Sequence, residues 1–534
     1  MLSRSHRLFI ASLGVALGLA SGTAGLVAQR ATPGEITAPN SSLYAAVLAD
    51  QRETIKAQTA GELSLYTIAA TLNPASGPEL PATIGGTQTL RFINQTPETL
   101  VALPFRLYAN AAEYGAGGIE VEDVRVDGAV AATALEVGET VLSVTLPAPL
   151  APAEMVEVTM AFTATVPVAP SESYGMFAIS SELGTWALAH WYPVLAGYDP
   201  NSGWSLLPPS LYGDPIFTTT SLYDVTLTAP AAWTVVASGV RQEATTPATD
   251  DRQTHHYVTG PARDFTIVAD NDFASVSQVV DGTTVISYFN PGHAETGAAI
   301  ATYAAQALRL FNELFGSYPY AELDLVEVPL RNALGVEFPQ LVYLDADLYE
   351  PGASVDAIDS TVAHEVAHQW WYGLVGNNQH QSAFIDEGLS NYVTFQVYYE
   401  RIYGPERAAA IVNRILKLPY LRLLFEEGVD VVVDQPSDDF PGAGAYTIAV
   451  YLKAALGFAA LRAEIGDEAF FAGLRSYAAA ERFGIAAPAD LRAAFEIAAG
   501  RDLSAFWRHW FEAAEGTQDF TPADLERARA EAGT

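Results

Sequence analysis

Two periodicities divide the chain. Val156, Val158, Met160 and Phe162 alternate with Glu157, Thr159, Ala161 and Thr163, and Leu142, Val144 and Leu146 alternate with Ser143 and Thr145. Alternation at period two puts one row of side chains on each face of a pleated strand, so these runs predict half-buried strands. Tyr223, Val225 and Leu227 continue the pattern, and similar short runs reach about residue 275 between Gly- and Pro-bearing turns, as an antiparallel β domain requires. From about residue 296 the period lengthens to that of a helix, starting with an Ala-rich segment over 302–315. A chain of 534 residues exceeds the size at which one core stops growing. The pattern therefore predicts a multi-domain α+β protein, with an N-terminal antiparallel β domain over 45–275 and a helix-rich α/β domain over 276–530.

Ahead of both lies a different kind of segment. Arg4 and Arg7 precede an uncharged run from Leu8 to Ala28, the order of an export signal. That run is longer than the ~7–15 residues of a signal core and close to the ~20 that span a bilayer. Residues 1–30 are thus expected to be a signal peptide or an N-terminal membrane anchor, followed by a Pro/Ser/Asn-bearing linker over 31–44. The expected location is outside the cytoplasm: secreted, periplasmic, or attached to a membrane through residues 8–28. A formal charge of −35 argues against nucleic acid and anionic membrane surfaces as partners, and favours neutral or cationic substrates. With no cysteine, disulfides are excluded and any metal must be held by His and carboxylate side chains.

Such ligands occur in His364-Glu365-Val366-Ala367-His368. Helical side chains at i and i+4 lie one turn apart on the same face, so both imidazoles can reach one ion, while Glu365 points about 100° round the helix. Val355, Ile358, Val362, Val366 and Trp370 recur at helical spacing and predict a separate buried face. A catalytic zinc takes three protein ligands and an open position for a water whose pKa it lowers to about 7, and a carboxylate beside that water can act as general base. Glu387, nineteen residues beyond His368 and opening another apolar-periodic segment, is the candidate third ligand. His380, in an Asn/Gln-rich loop, reads more simply as a polar loop residue.

The pattern His364-Glu365-x-x-His368, eighteen residues, Glu387 resembles that of the gluzincin metallopeptidases of the aminopeptidase N and leukotriene hydrolase family. Framework stretches agree from about residue 45 to 520, among them Leu90 to Asn110, Trp191-Tyr192-Pro193, Ala262-Arg263-Asp264-Phe265 and Phe315 to Tyr320. The resemblance implies a thermolysin-like α/β catalytic domain and one Zn2+ on His364, His368 and Glu387, with Glu365 as general base. It implies peptide substrates with a free N-terminus, gripped by Glu337 and Gly335 in Leu334-Gly335-Val336-Glu337-Phe338, where the family has Gly-Ala-Met-Glu-Asn. Leu334, Val336 and Phe338 depart from that pattern. Tyr451, in Tyr451-Leu452-Lys453-Ala454, corresponds to the family's oxyanion-stabilising Tyr, with Tyr446 as its nearest rival. The chain stops soon after Arg508-His509-Trp510-Phe511, where larger members continue into a helical domain, so a more open active site is expected. The expected activity is that of an aminopeptidase. The residues also suit a zinc endopeptidase or another zinc hydrolase with the same metal module, and, outside enzymes, an extracellular binding protein on a peptidase fold.

Overall fold

The computed structural model describes residues 41–532 apart from 76–80, 169–173, 209–211, 214–215 and 243–250. The expected signal peptide or anchor over 1–30, and the linker as far as residue 40, lie outside the described residues. The linker's last residues are ordered chain: Ser41–Tyr44 forms a 3-10 turn with Leu43 and Tyr44 buried.

Among the described residues, strands from 64 to 270 form a large sheet of eight strands, two of four and a small one of two. The alternating runs lie where expected. Met155–Thr165 buries Val156, Val158, Met160 and Phe162, and Val141–Leu150 buries Leu142, Val144 and Leu146. Pairing in the large sheet is antiparallel with one exception, Ser64–Asn73 beside Ser221–Pro230, which run parallel. These two strands are distant in sequence and joined through the rest of the domain, so no hairpin forces them to run in opposite directions.

The second half is built on a sheet ordered Ala274–Val280, Thr283–Phe289, Glu322–Val328, Leu341–Asp345, Gly335–Val336. Its inner pairs are parallel, and helix Ala294–Phe315 lies between two of them in sequence, as a crossover requires. Leu341–Asp345 is buried along its whole length because each face meets a different core. Val342 and Leu344 join the helical core, whereas Leu341 and Tyr343 join the core of the β domain. One sheet thus serves as the partition between the two halves, and side-chain alternation assigns each row to its side.

Residues 43–55 pack where the two halves meet, against strands Ser221–Pro230 and Arg252–Ala262 through Leu222 and Val258 as well as against the second half. Leu43, Tyr44, Val47 and Ile55 are buried in the helical core with Ile300, Phe311 and Tyr318, and Leu48 N donates to Pro319 O at 2.8 Å. Large apolar residues at these positions are covered on one side by the β domain and on the other by the crossover helix and the 318–320 turn.

Candidate metal centre

The motif helix runs Val355–Ala367, with His368 as its C-terminal flanking residue. Ile358, Val362, Val366 and Trp370 are buried as their spacing requires, but Val355 is 65% exposed because the helix's first turn projects past the core. On the adjoining face the imidazoles of His364 and His368 stand edge to face, ring centres 4.6 Å apart. The chain then turns through short helical segments to Glu387–Tyr392, whose first residue is Glu387. Asp386 caps that helix, its Oδ1 accepting from Glu387 N at 2.8 Å.

Three donor atoms converge. His364 Nε2 and His368 Nε2 are 3.0 Å apart, and Glu387 Oε2 is 3.3 Å from the first and 3.2 Å from the second. Nitrogen and oxygen ligands 2.0–2.2 Å from a tetrahedral zinc lie about 3.3 Å from one another, so the spacing fits one zinc ion. The donor chemistry agrees. His368 Nδ1 lies 2.9 Å from Trp371 O, and a carbonyl can only accept, so Nδ1 carries the proton and Nε2 presents a lone pair. Among the described residues, His364, His368 and Glu387 form a set whose ligand atoms all lie within 4.8 Å of one another.

Around this focus the carboxylates are packed by specific contacts. Glu365 is 4% exposed and its Oε2 has no hydrogen-bond partner. Gly335 lies against it so closely that an added Cβ would stand 2.5 Å from Glu365 Cδ. Glu337 lies just past strand Gly335–Val336, in the loop before Leu341–Asp345, and not within a continuous strand. It is 6% exposed, its Oε1 lacks a hydrogen-bond partner and stands 4.0 Å from His368 Nδ1. Gln369, the residue after His368, fixes that loop: its Oε1 accepts from Gln340 N at 3.0 Å and its Nε2 donates to Phe338 O at 3.3 Å. Leu334 points outward, 49% exposed, and Phe338 is buried against Tyr343 and His190, so neither departure from the family pattern fills the space beside Glu337.

Tyr451 sits in the helical segment Thr447–Lys453, held to the Glu387 helix by Asn391 Nδ2 donating to Tyr451 O at 3.1 Å. Its hydroxyl donates to Glu387 Oε1. Tyr446 lies one step away, its ring packed edge-on against Phe440 and Tyr451. His380 is buried in the short helix Gln379–Ser382 and is not part of the metal set.

The electrostatics are those of crowded carboxylates. Burial, and after it the charge of Glu337, push the Glu365 carboxyl well above the usual range. Burial also raises Asp386, reinforced by Glu387. His364 is held below its ordinary value by burial and by neighbouring His368. Burial acts downward on His368 too, but Glu337 and Glu387 outweigh it and lift it well above. Burial works upward on Glu387, yet the two imidazoles bring it below the usual carboxylate range. A dication at the focus would offset the crowded carboxylates and compete with a proton for the His368 imidazole.

Asp386, Gln369 and Asn391 were not singled out by sequence reasoning. Asp386 had a legible signal, an Asp immediately before a helix-opening residue, while Gln369 and Asn391 act on loops and helices remote in sequence.

Residues 301–510 match the Peptidase family M1 domain. Aminopeptidase N of Streptomyces lividans is 26% identical over 313 residues, which is 55% of this chain and 35% of that protein. Aminopeptidase N of Acetobacter pasteurianus is 28% identical over 192 residues, 34% of this chain and 53% of that one. The chain thus spans between about a third and a half of these two relatives. A crystal structure of a variant M1 zinc metallopeptidase from Deinococcus radiodurans superposes with a TM-score of 0.61 at 19% identity, covering 85% of this chain and 94% of that one. The same Deinococcus enzyme bound to a Tyr-Ser-Ala substrate gives 0.59 at 18% identity, with the same coverage. With a His-His-Glu set spaced for zinc, a Peptidase family M1 domain over residues 301–510 and a shared two-domain fold, the chain is similar to the gluzincin metallopeptidases of the aminopeptidase N family.

Proposed function

We propose that this protein is a zinc-dependent aminopeptidase that removes N-terminal residues from peptides by attack of water on the first peptide bond. Glu337 is the observation that carries the reading: a buried carboxylate with an unpartnered oxygen, beside the metal ligands. A buried carboxylate calls for a cation, and a peptide's protonated N-terminus supplies one. Pairing there would set the first peptide carbonyl over the His364, His368, Glu387 focus. That the Deinococcus enzyme was captured with a free tripeptide is consistent with such a subsite.

Zinc held by His364, His368 and Glu387 would polarise the scissile carbonyl and make water a better nucleophile. Glu365 takes a proton from the attacking water and returns it to the leaving amine. Its raised proton affinity suits a group that must hold that proton between the two transfers. The Tyr451 hydroxyl donates to the carbonyl oxygen as it gains negative charge. It now donates to Glu387, whose oxygens become weaker acceptors once committed to a cation. We further propose, from the uncharged N-terminal run after Arg7, that the enzyme works outside the cytoplasm.

The test is a mass-spectrometric comparison of matched peptides, free or N-acetylated, incubated with the zinc-loaded protein and with Glu365→Gln. Stepwise N-terminal trimming of the free set alone, lost in the variant, is the expected result. Internal cleavage of both sets would replace the reading with an endopeptidase, and no cleavage at all would replace it with a binding role.

A further inference from the structure

Arg263 comes from the β domain, one residue beyond strand Arg252–Ala262, yet its guanidinium ends in the second half of the molecule. It is 1% exposed, and its partners are backbone carbonyls. Nε donates to Tyr372 O at 2.7 Å, Nη2 to Leu374 O at 3.5 Å and to Gly484 O, and Nη1 to Thr218 O at 3.5 Å. Burial lowers its pKa to about 10, which leaves it charged at neutral pH. The chain makes room for it: a Cβ on Gly376 would stand 2.5 Å from Nη1 and 2.6 Å from Nε.

Two of these carbonyls, Tyr372 O and Leu374 O, belong to the turn that follows the motif helix. Gly373 N donates to His368 O at 2.8 Å, Val375 N to Trp370 O at 3.0 Å and Tyr372 N to Val375 O at 2.9 Å, closing a tight loop over 368–375. Tyr372 adopts φ 136°, and Phe483, whose N donates to Leu374 O at 2.6 Å, adopts φ 67°. Non-glycine residues hold such conformations only where their surroundings over-determine them, and here the guanidinium is the group shared by both segments. In the middle of this loop is Trp371 O, the acceptor for His368 Nδ1.

We infer that Arg263 is a positioning residue for the metal centre: by fixing the carbonyls of Tyr372 and Leu374, immediately beyond Trp371, it aims the Trp371 carbonyl at His368 and so presents His368 Nε2 to the cation. The inference rests on the reading of His364, His368 and Glu387 as zinc ligands. It makes metal retention depend on the docking of the β domain, since the clamp and the ligand come from different halves of the chain. A lysine at this position keeps the charge but not the planar fork, and one ammonium cannot span carbonyls that radiate in several directions.

The experiment measures zinc affinity of the metal-stripped full chain by competition with a chromophoric chelator, for the wild type, Arg263→Lys and Arg263→Gln. Circular dichroism and the unfolding midpoint check the fold, and Arg252→Lys, another β-domain arginine bound to a backbone carbonyl, serves as control. Both Arg263 variants are expected to weaken zinc binding about 10–100-fold, the usual range for partners of a metal ligand, with the control unchanged. At saturating zinc, kcat on a free-amine peptide is expected to fall while KM holds. A folded Arg263 variant with zinc affinity within about twofold of wild type overturns the inference. Should both variants fail to fold, Gly376→Ala displaces the guanidinium from the other side, and unchanged affinity there overturns it equally. A wild type that binds no zinc would refute the metal reading itself, which is a separate outcome.

Discussion

Gly335 and Glu365 meet so closely that no side chain fits between them: an ideal Cβ on Gly335 would stand 2.5 Å from Glu365 Cδ and 2.6 Å from Cγ. The edge of the second half's sheet therefore sets the position of Glu365, the proposed general base. Gly335→Ala is expected to fold and hold zinc but to displace the carboxylate by about 1 Å, a misplacement that can lower kcat about 100-fold. Zinc content by atomic absorption beside kcat on a free-amine peptide tests this, and an unchanged kcat would show that Glu365 is not placed by this contact.

Glu365→Gln keeps the shape of the side chain and removes its proton chemistry. Zinc content should match wild type while kcat falls by about 10²–10⁴-fold, the range of general acid–base catalysis. Substantial residual turnover in a zinc-loaded sample would reassign the base.

Glu337→Gln should separate substrates by their N-termini. Losing one partner of a buried charge pair costs about 2–5 kcal/mol, so kcat/KM on free-amine peptides should drop about 30-fold or more. Whatever slow cleavage of N-acetylated peptides exists should stay as it is. Equal losses on both sets would mean that Glu337 supports the site in some other way.

Zinc removal should loosen the protein as well as silence it. A ligand present at 100 times its Kd stabilises the folded state by about 2.7 kcal/mol, so chelation should lower Tm and added zinc should restore it. Thermal scans of stripped and reloaded protein decide this, and a Tm indifferent to zinc would argue against a preformed His364, His368, Glu387 site.

A pH effect is expected far from the metal. Burial pushes Glu322 up to about 7, and its neighbour Asp324 is raised well above the usual range by burial and by Glu322. A carboxyl with a raised folded pKa stabilises the fold below its unfolded pKa, about 4.3, and that stability is lost as pH rises through 7. Glu322→Gln, which cannot ionise, should match wild type in urea unfolding near pH 4.5 and exceed it by about 2 kcal/mol at pH 8. A difference that does not grow with pH would show that Glu322 ionises freely in the folded protein.

Much of this was legible in the sequence because it rests on short-range geometry. Two histidines at i and i+4 with a carboxylate between them dictate a shared ion, and period-two runs such as Val156 to Phe162 dictate strands. Glu387 as third ligand followed from counting zinc's needs. Long-range relations were not legible. Ser64–Asn73 running parallel to Ser221–Pro230, Gln369 reaching the Glu337 loop and Val355 facing solvent are all set by which distant surfaces meet. The same holds for the contact between Gly335 and Glu365, which lie thirty positions apart.

Residues 43–55 change how synthesis and folding are coupled. They emerge early, and although Leu222 and Val258 of the β domain cover part of them, Tyr44, Val47 and Ile55 are not closed over until helix Ala294–Phe315 and the 318–320 turn exist. At about 5–20 residues per second, the roughly 260 intervening residues leave these apolar side chains waiting for some 13–50 s. During that interval the β domain can complete its sheets, because its own strands close by residue 270. The second half is therefore expected to assemble last and around a segment already seated on the β domain, and a ribosome stalled before residue 294 should carry a finished β domain whose leading segment is only partly covered.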